Sequence, residues 1–216
     1  YRGNVPADRR GIVLDEQSVN MEGNRSVVCV NTETNEIAWQ TPPGAIIPLT
    51  LASDGQYAFF LRHNELICAE LSDGEEVWSV AVNNNQIRFG TASSPTLLVY
   101  EGIVYVGKSE VLTAYDSETS AAMWSAPCAG AGYRAQASIF ILNNLIWDVS
   151  VGGEPYRPGT PPDLINRYYT GYDLQTGDVI ERMPVSSEHG YGIMHHRCHI
   201  PRASGNNIIT SFPGIE

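Results

Sequence analysis

The chain has 216 residues, enough for one or two ordinary domains with a sizeable core. Its 24 acidic residues outnumber 13 basic ones and leave a formal charge of −11, a surface that repels phosphate backbones and anionic lipid and so argues against nucleic acid as a partner. No apolar run reaches the roughly 18 residues of a membrane-crossing helix, so no membrane span is expected, and a signal peptide is expected to be absent or already removed, because no basic-then-apolar leader follows Tyr1.

In chain order, the first clear element is residues 27–39, where strand-forming residues lead to Asn31, a turn follows, and Trp39 stands eight residues after the asparagine. The same template recurs without gaps at 66–78 around Glu70, ending on Trp78, and at 112–124 around Asp116, ending on Trp124. A fourth copy, 169–181 around Asp173, ends on Glu181 instead of tryptophan. Successive copies start 39, 46 and 57 residues apart. Each hairpin needs a residue that tolerates positive φ, and Asn35, Gly74 and Gly177 fill one slot, with Ser120 as the exception. Asn31, Asp116 and Asp173 are suited to accept hydrogen bonds from the turn's own backbone, a role that Glu70 fits less well. Two residues earlier stand Cys29, Cys68, Ala114 and Gly171, all small, so Cys29 and Cys68 are expected to be equivalent packing residues rather than a disulfide pair.

Further strand signals precede the copies, at 46–51 and 55–60 and again at 94–99 and 102–106. Four short strands per unit of about 40 to 50 residues is the period of a propeller blade. The predicted fold is therefore all-β, a β-propeller of four-stranded antiparallel blades. One domain over 1–216 is expected to hold about four to five blades of a larger ring.

The run Ser94-Pro95, Gly102-Ile103-Val104-Tyr105-Val106-Gly107, Leu112-Thr113-Ala114-Tyr115-Asp116 and Trp124 resembles the repeat of pyrroloquinoline-quinone-like propellers, as does Tyr172-Asp173-Leu174-Gln175-Thr176-Gly177. In that family the tryptophan docks against the neighbouring blade, so the resemblance implies such a role for Trp39, Trp78 and Trp124 and puts it in doubt at Glu181. The stretch His195-His196-Arg197-Cys198, with Ile208-Ile209-Thr210-Ser211 and Gly214-Ile215-Glu216, is similar to a segment of uncharacterised propellers from planctomycete-type bacteria. The resemblance implies a bacterial, periplasmic or extracellular protein. Family propellers commonly close with more blades than fit here, so remaining blades or a protein partner are expected to cover the open faces.

Three groups are candidate sites. His189, His195, His196, Cys198 and His199 gather potential ligands for a transition metal, although alternation on a strand would send His195 and Cys198 to opposite faces, which leaves loop packing as the other reading. Residues 151–163, rich in glycine and proline, read as an inserted loop; with Tyr156, Arg157, Tyr168 and Tyr169 nearby it is a candidate recognition loop or a plain spacer. Cys128 and Cys198 are a possible disulfide in an oxidising compartment, against two thiols.

Function at this stage has three readings. The first is a non-enzymatic binding or scaffold module for protein–protein interaction, with no catalytic residues and no cofactor. The second is a quinone-dependent dehydrogenase using pyrroloquinoline quinone and calcium, whose family typically places adjacent cysteines over the cofactor; no two cysteines adjoin in this sequence. The third is a metal or redox centre at His195, His196, Cys198 and His199.

Overall fold

A computed structural model describes residues 25–82, 95–108, 111–128, 139–149, 168–184 and 202–209. Every regular element among them is a strand. The first two, β1 (Val28–Asn31) and β2 (Glu36–Gln40), form an antiparallel hairpin. Three four-stranded antiparallel sheets follow, each a meander in which consecutive strands are neighbours. They comprise β3 (Ile46–Ser53), β4 (Tyr57–Arg62), β5 (Glu65–Glu70) and β6 (Glu76–Ala81); β7 (Thr96–Tyr100), β8 (Ile103–Lys108), β9 (Val111–Asp116) and β10 (Ala122–Pro127); and β11 (Ile139–Leu142), β12 (Leu145–Asp148), β13 (Tyr168–Asp173) and β14 (Val179–Pro184). A last hairpin joins β15 (Arg202–Ser204) to β16 (Asn207–Ile209). The fold is thus an all-β array of propeller blades, with three complete blades and two hairpins among the described residues. The four repeat segments are the outer hairpins: β1–β2, β5–β6, β9–β10 and β13–β14.

The sheets stack face to face because their middle strands are apolar on both faces. Side chains alternate along a strand, so Ala58 and Phe60 of β4 face the first hairpin and pack with Val27 and Trp39, while Phe59 and Leu61 face the next sheet. There they meet Leu97, Val104, Val106 and Tyr115. The next interface repeats the arrangement, with Ile103, Tyr105, Leu112 and Ala114 packed against Ile139, Ile146, Tyr172 and Leu174. Each fully buried side chain of this size contributes roughly 1.5–3 kcal/mol, so the stack is held by its inter-sheet layers. The first strands β3 and β7 of consecutive sheets also touch, which fixes the edge at which the blades converge.

Turn chemistry explains the uniform outer hairpins. The Asn31 side-chain oxygen accepts from the backbone N–H of Glu33 at 2.8 Å and of Thr34 at 3.2 Å. Asp116 serves Glu118 and Thr119, and Asp173 serves Gln175 and Thr176, in the same geometry. In the second copy, Asp73 takes over part of the task by accepting from Glu75 at 2.9 Å, and Glu70 contributes only backbone bonds. Ser120 is no exception in conformation: its φ of 63° matches Asn35 at 58°, Gly74 at 79° and Gly177 at 73°. The carbonyl of Asp116 receives the Ser120 N–H at 3.0 Å and holds a non-glycine residue in the left-handed region.

Candidate functional site

One row of residues crosses each complete blade at the level of the tryptophan slot. In the blade β3–β6 the Cα partners run Phe59, Cys68, Trp78; in β7–β10 they run Tyr105, Ala114, Trp124; in β11–β14 they run Trp147, Gly171, Glu181. The small residue in the middle lets the two flanking rings lean together over it, and the ring centroids of Phe59 and Trp78, like those of Tyr105 and Trp124, are 6.0 Å apart. Cys29 stands opposite Trp39 in the same way, so Cys29 and Cys68 are equivalent packing positions in separate sheets.

Each outer tryptophan reaches into the next repeat. The indole N–H of Trp39 donates to the carbonyl of Leu71 at 2.7 Å, that of Trp78 to Ser117 at 3.0 Å, and that of Trp124 to Leu174 at 2.9 Å. The acceptor is always the residue after the polar slot. A Cβ on Gly74 would lie 2.6 Å from the Trp39 ring, and one on Gly177 would lie 2.5 Å from the Trp124 ring, so at these two positions a side chain would displace the indole, although Ser120 fills the same slot in the third copy. Glu181 is exposed and makes no such reach. The ring of this blade is Trp147, buried on β12 in the position of Phe59 and Tyr105, and its indole N–H donates to Leu142 of its own sheet at 3.2 Å.

A feature that the sequence reading missed accompanies every tryptophan slot. All four outer hairpins change register at the same place, leaving Ala38, Val77, Met123 and Ile180 unpaired on the outer strand. These are β-bulges, and each bulge turns the following residue toward the next blade while pushing the bulged one outward. Val77 is 47% exposed, Met123 41% and Ile180 60%. Among the described residues the outer strands β6, β10 and β14 also lie at sheet edges, so their outer backbone and these apolar side chains form a repeating rim. The only sequence signal was an apolar residue immediately before each tryptophan or glutamate.

Of the other candidate residues, Tyr168 is exposed at the start of β13 and Tyr169 is half-buried opposite Met183. Tyr156, Arg157 and the loop 151–163 lie outside the described residues, as do His189, His195, His196, Cys198 and His199. The pairing of Cys128 with Cys198 therefore rests on a partner outside them as well. Cys128 itself is buried beside Asp148; burial and then the neighbouring carboxylate push its thiol well above the ordinary range. Burial, with Asp54 and Glu70, pushes Cys68 up to about 12. Both are poor nucleophiles, since the thiolate is the reactive form. Among the described residues no three His, Cys, Asp or Glu side chains are grouped to hold a metal, and no helix is long and apolar enough to cross a membrane.

The comparisons with known proteins agree with this geometry. A family model described as outer membrane protein assembly factor BamB matches residues 6–143. No curated protein sequence matches the chain. Among solved structures it is similar to BamB from Moraxella catarrhalis, with a TM-score of 0.55 and 14% identity over 88% of this chain and 50% of that one. It is similar also to the quinohemoprotein alcohol dehydrogenase from Comamonas testosteroni, with a TM-score of 0.55 and 17% identity over 75% of this chain and 32% of the enzyme. The computationally designed protein Ika8 matches with a TM-score of 0.56 and 12% identity, over 89% of this chain and 51% of its own. At such identities the structural likenesses establish the propeller fold, and the chain spans half the length of the Moraxella protein or less of the enzyme. With the family model covering well over half of its residues, the chain belongs to the pyrroloquinoline-quinone-like repeat family represented by outer membrane protein assembly factor BamB.

Proposed function

We propose that the chain is a non-enzymatic binding module, a rigid stack of blades that presents its outer rim to another protein. The observation that carries this reading is the bulge row: Val77, Met123 and Ile180 occupy one slot on successive outer strands and all stand exposed beside open strand edges. Exposed apolar residues spaced regularly along open edges suit a partner that adds a strand or lays an apolar ridge across the rim. The family description, an assembly factor of the outer membrane, supports a protein partner and a location outside the cytoplasm.

The test is crosslinking with mass spectrometry on the purified chain in an envelope extract of its source, beside a Val77→Asp/Met123→Asp/Ile180→Asp variant. Crosslinks to one protein that start from β6, β10 and β14 and vanish in the variant are the expected result. Crosslinks unchanged in the variant would refute the rim. Elemental analysis and an absorption spectrum of the same preparation address the oxidoreductase alternative: a stoichiometric transition metal lost on His195→Ala/His196→Ala, or a quinone chromophore with calcium, would replace the binding reading.

A further inference from the structure

We infer that the interface between the sheets β7–β10 and β11–β14 is a polar seam along which the stack opens, with Asp148 as the residue that sets how readily it does so. The repeat supplies the reference, because the interface between β3–β6 and β7–β10 is built from the same positions. Asp148 pairs with Thr170 across β12 and β13 as Val106 pairs with Thr113 across β8 and β9. Cys128 follows Trp124 by four residues, as Val82 follows Trp78. Tyr172 and Tyr115 each stand one residue before the polar slot.

In the earlier interface Val82 and Val106 lie with Tyr115 in one apolar cluster. In the later one both valines are exchanged together. Cys128 packs in the core with Tyr172, and its thiol is hydrogen-bonded to the carboxylate of Asp148, which is only 2% exposed. Two further bonds cross the seam: the Tyr172 hydroxyl donates to the Pro127 carbonyl and the Tyr105 hydroxyl to the Leu174 carbonyl. No buried side-chain nitrogen or oxygen among the described residues lacks a partner, so the closed seam is satisfied.

The two interfaces differ in what their opening exposes. Separating Val82 from Val106 brings apolar surface into water, which is unfavourable in proportion to its area. Separating Cys128 from Asp148 exposes a thiol and a carboxyl group, and the carboxyl group recovers the hydration that it gave up on burial. The hydrogen bonds across the seam are exchanged for bonds to water with little net loss. A tryptophan tie is present at both interfaces and does not separate them. The later interface is therefore the one at which the blades part. Met123 and Ile180 stand on opposite sides of it, so their spacing is adjustable, whereas Val77 and Met123 are held at a fixed one. The inference does not rest on the rim reading and can fail alone.

The chain offers matched positions for a test. Cys68 is buried in the earlier interface, and Ala114 holds the same slot, between Tyr105 and Trp124, in the later one. The experiment is time-resolved alkylation of the intact Ala114→Cys chain with an uncharged reagent under native conditions, read peptide by peptide by mass spectrometry. The introduced thiol is expected to react at least about tenfold faster than Cys68, a factor that exposure of about one valine side chain accounts for. In the Ala114→Cys/Asp148→Val chain its rate is expected to fall toward that of Cys68. Cys128 should slow as well, although loss of the carboxylate removes one of the effects that hold its thiol protonated and would by itself speed the reaction. Equal rates at position 114 and Cys68 in the first chain, or unchanged rates after Asp148→Val, would overturn the seam. The first comparison is made with Asp148 in place, so it decides the question even where the valine variant does not fold.

Discussion

The blades β3–β6 and β11–β14 are built from the same hairpin and turn, yet they place their large ring on opposite sides of the sheet's third strand. In the earlier blade the row Phe59, Cys68, Trp78 puts the indole on the outer strand, where its N–H ties the blade to Ser117 of the next. In the later one the row Trp147, Gly171, Glu181 puts the indole on the second strand, where its N–H ties the blade to itself through Leu142. The later layer holds one ring where the earlier holds two, and its indole makes no tie to another blade among the described residues. The middle residue adjusts accordingly: with Trp147 above it, a Cβ at Gly171 would lie 3.1 Å from Leu145 and 3.2 Å from the indole, so the slot that holds cysteine or alanine elsewhere holds glycine here.

The comparison breaks first if the tryptophans are interchangeable surface rings. Trp147→Ala is expected to cost roughly 3–5 kcal/mol, as for a buried aromatic, and the half-buried Trp78→Ala somewhat less, whereas Glu181→Ala should stay within about 0.5 kcal/mol. Urea unfolding of the three variants checks the order. Equal losses at Trp78 and Glu181 would mean that the outer slot carries no inter-blade tie.

A smaller effect sharpens the role of the turn. Gly177→Ala meets both a left-handed backbone, worth about 1–2 kcal/mol, and the Trp124 ring 2.5 Å away. Gly55→Ala meets a positive φ of 96° with nothing within 4 Å. The first substitution should therefore lower the unfolding midpoint clearly more than the second, and combining it with Trp124→Ala should erase the difference if the indole is the cause.

The smallest effect is the pH dependence of the turns. The Thr119 hydroxyl and backbone hold the Asp116 carboxyl below the ordinary carboxylate range. A folded pKa below the unfolded one means that this stabilisation is present above the unfolded pKa and is lost as pH falls through the folded value. Asp116→Asn, which copies the residue already used at Asn31, should leave neutral stability nearly unchanged and shallow the acid limb of a pH–stability curve. An unaltered acid limb would show that the exposed turn does not couple to folding.

Much of this fold was legible in local sequence because its signals are local. A polar residue that caps its own turn, a left-handed position four residues on and a ring eight residues on act within one hairpin, so 27–39, 66–78, 112–124 and 169–181 marked the outer hairpins directly. The left-handed Ser120 was misread, since a side chain that tolerates the conformation poorly is held there by the Asp116 carbonyl, a backbone contact that composition does not report. The bulges at Ala38, Val77, Met123 and Ile180 were missed for a related reason: an unpaired residue is a property of two strands in register, and one strand's residue types do not specify it.

What the sequence determined by itself was therefore the repeat, the turns and the apolar content of the middle strands, all consequences of alternation and turn chemistry over a few residues. Only the tertiary structure decided that the indole N–H groups of Trp39, Trp78 and Trp124 cross to the following repeat and that Trp147 keeps its own within its sheet. Those facts depend on which faces meet, and faces meet through contacts between residues 32 to 50 positions apart, a separation over which residue type alone carries no directional information.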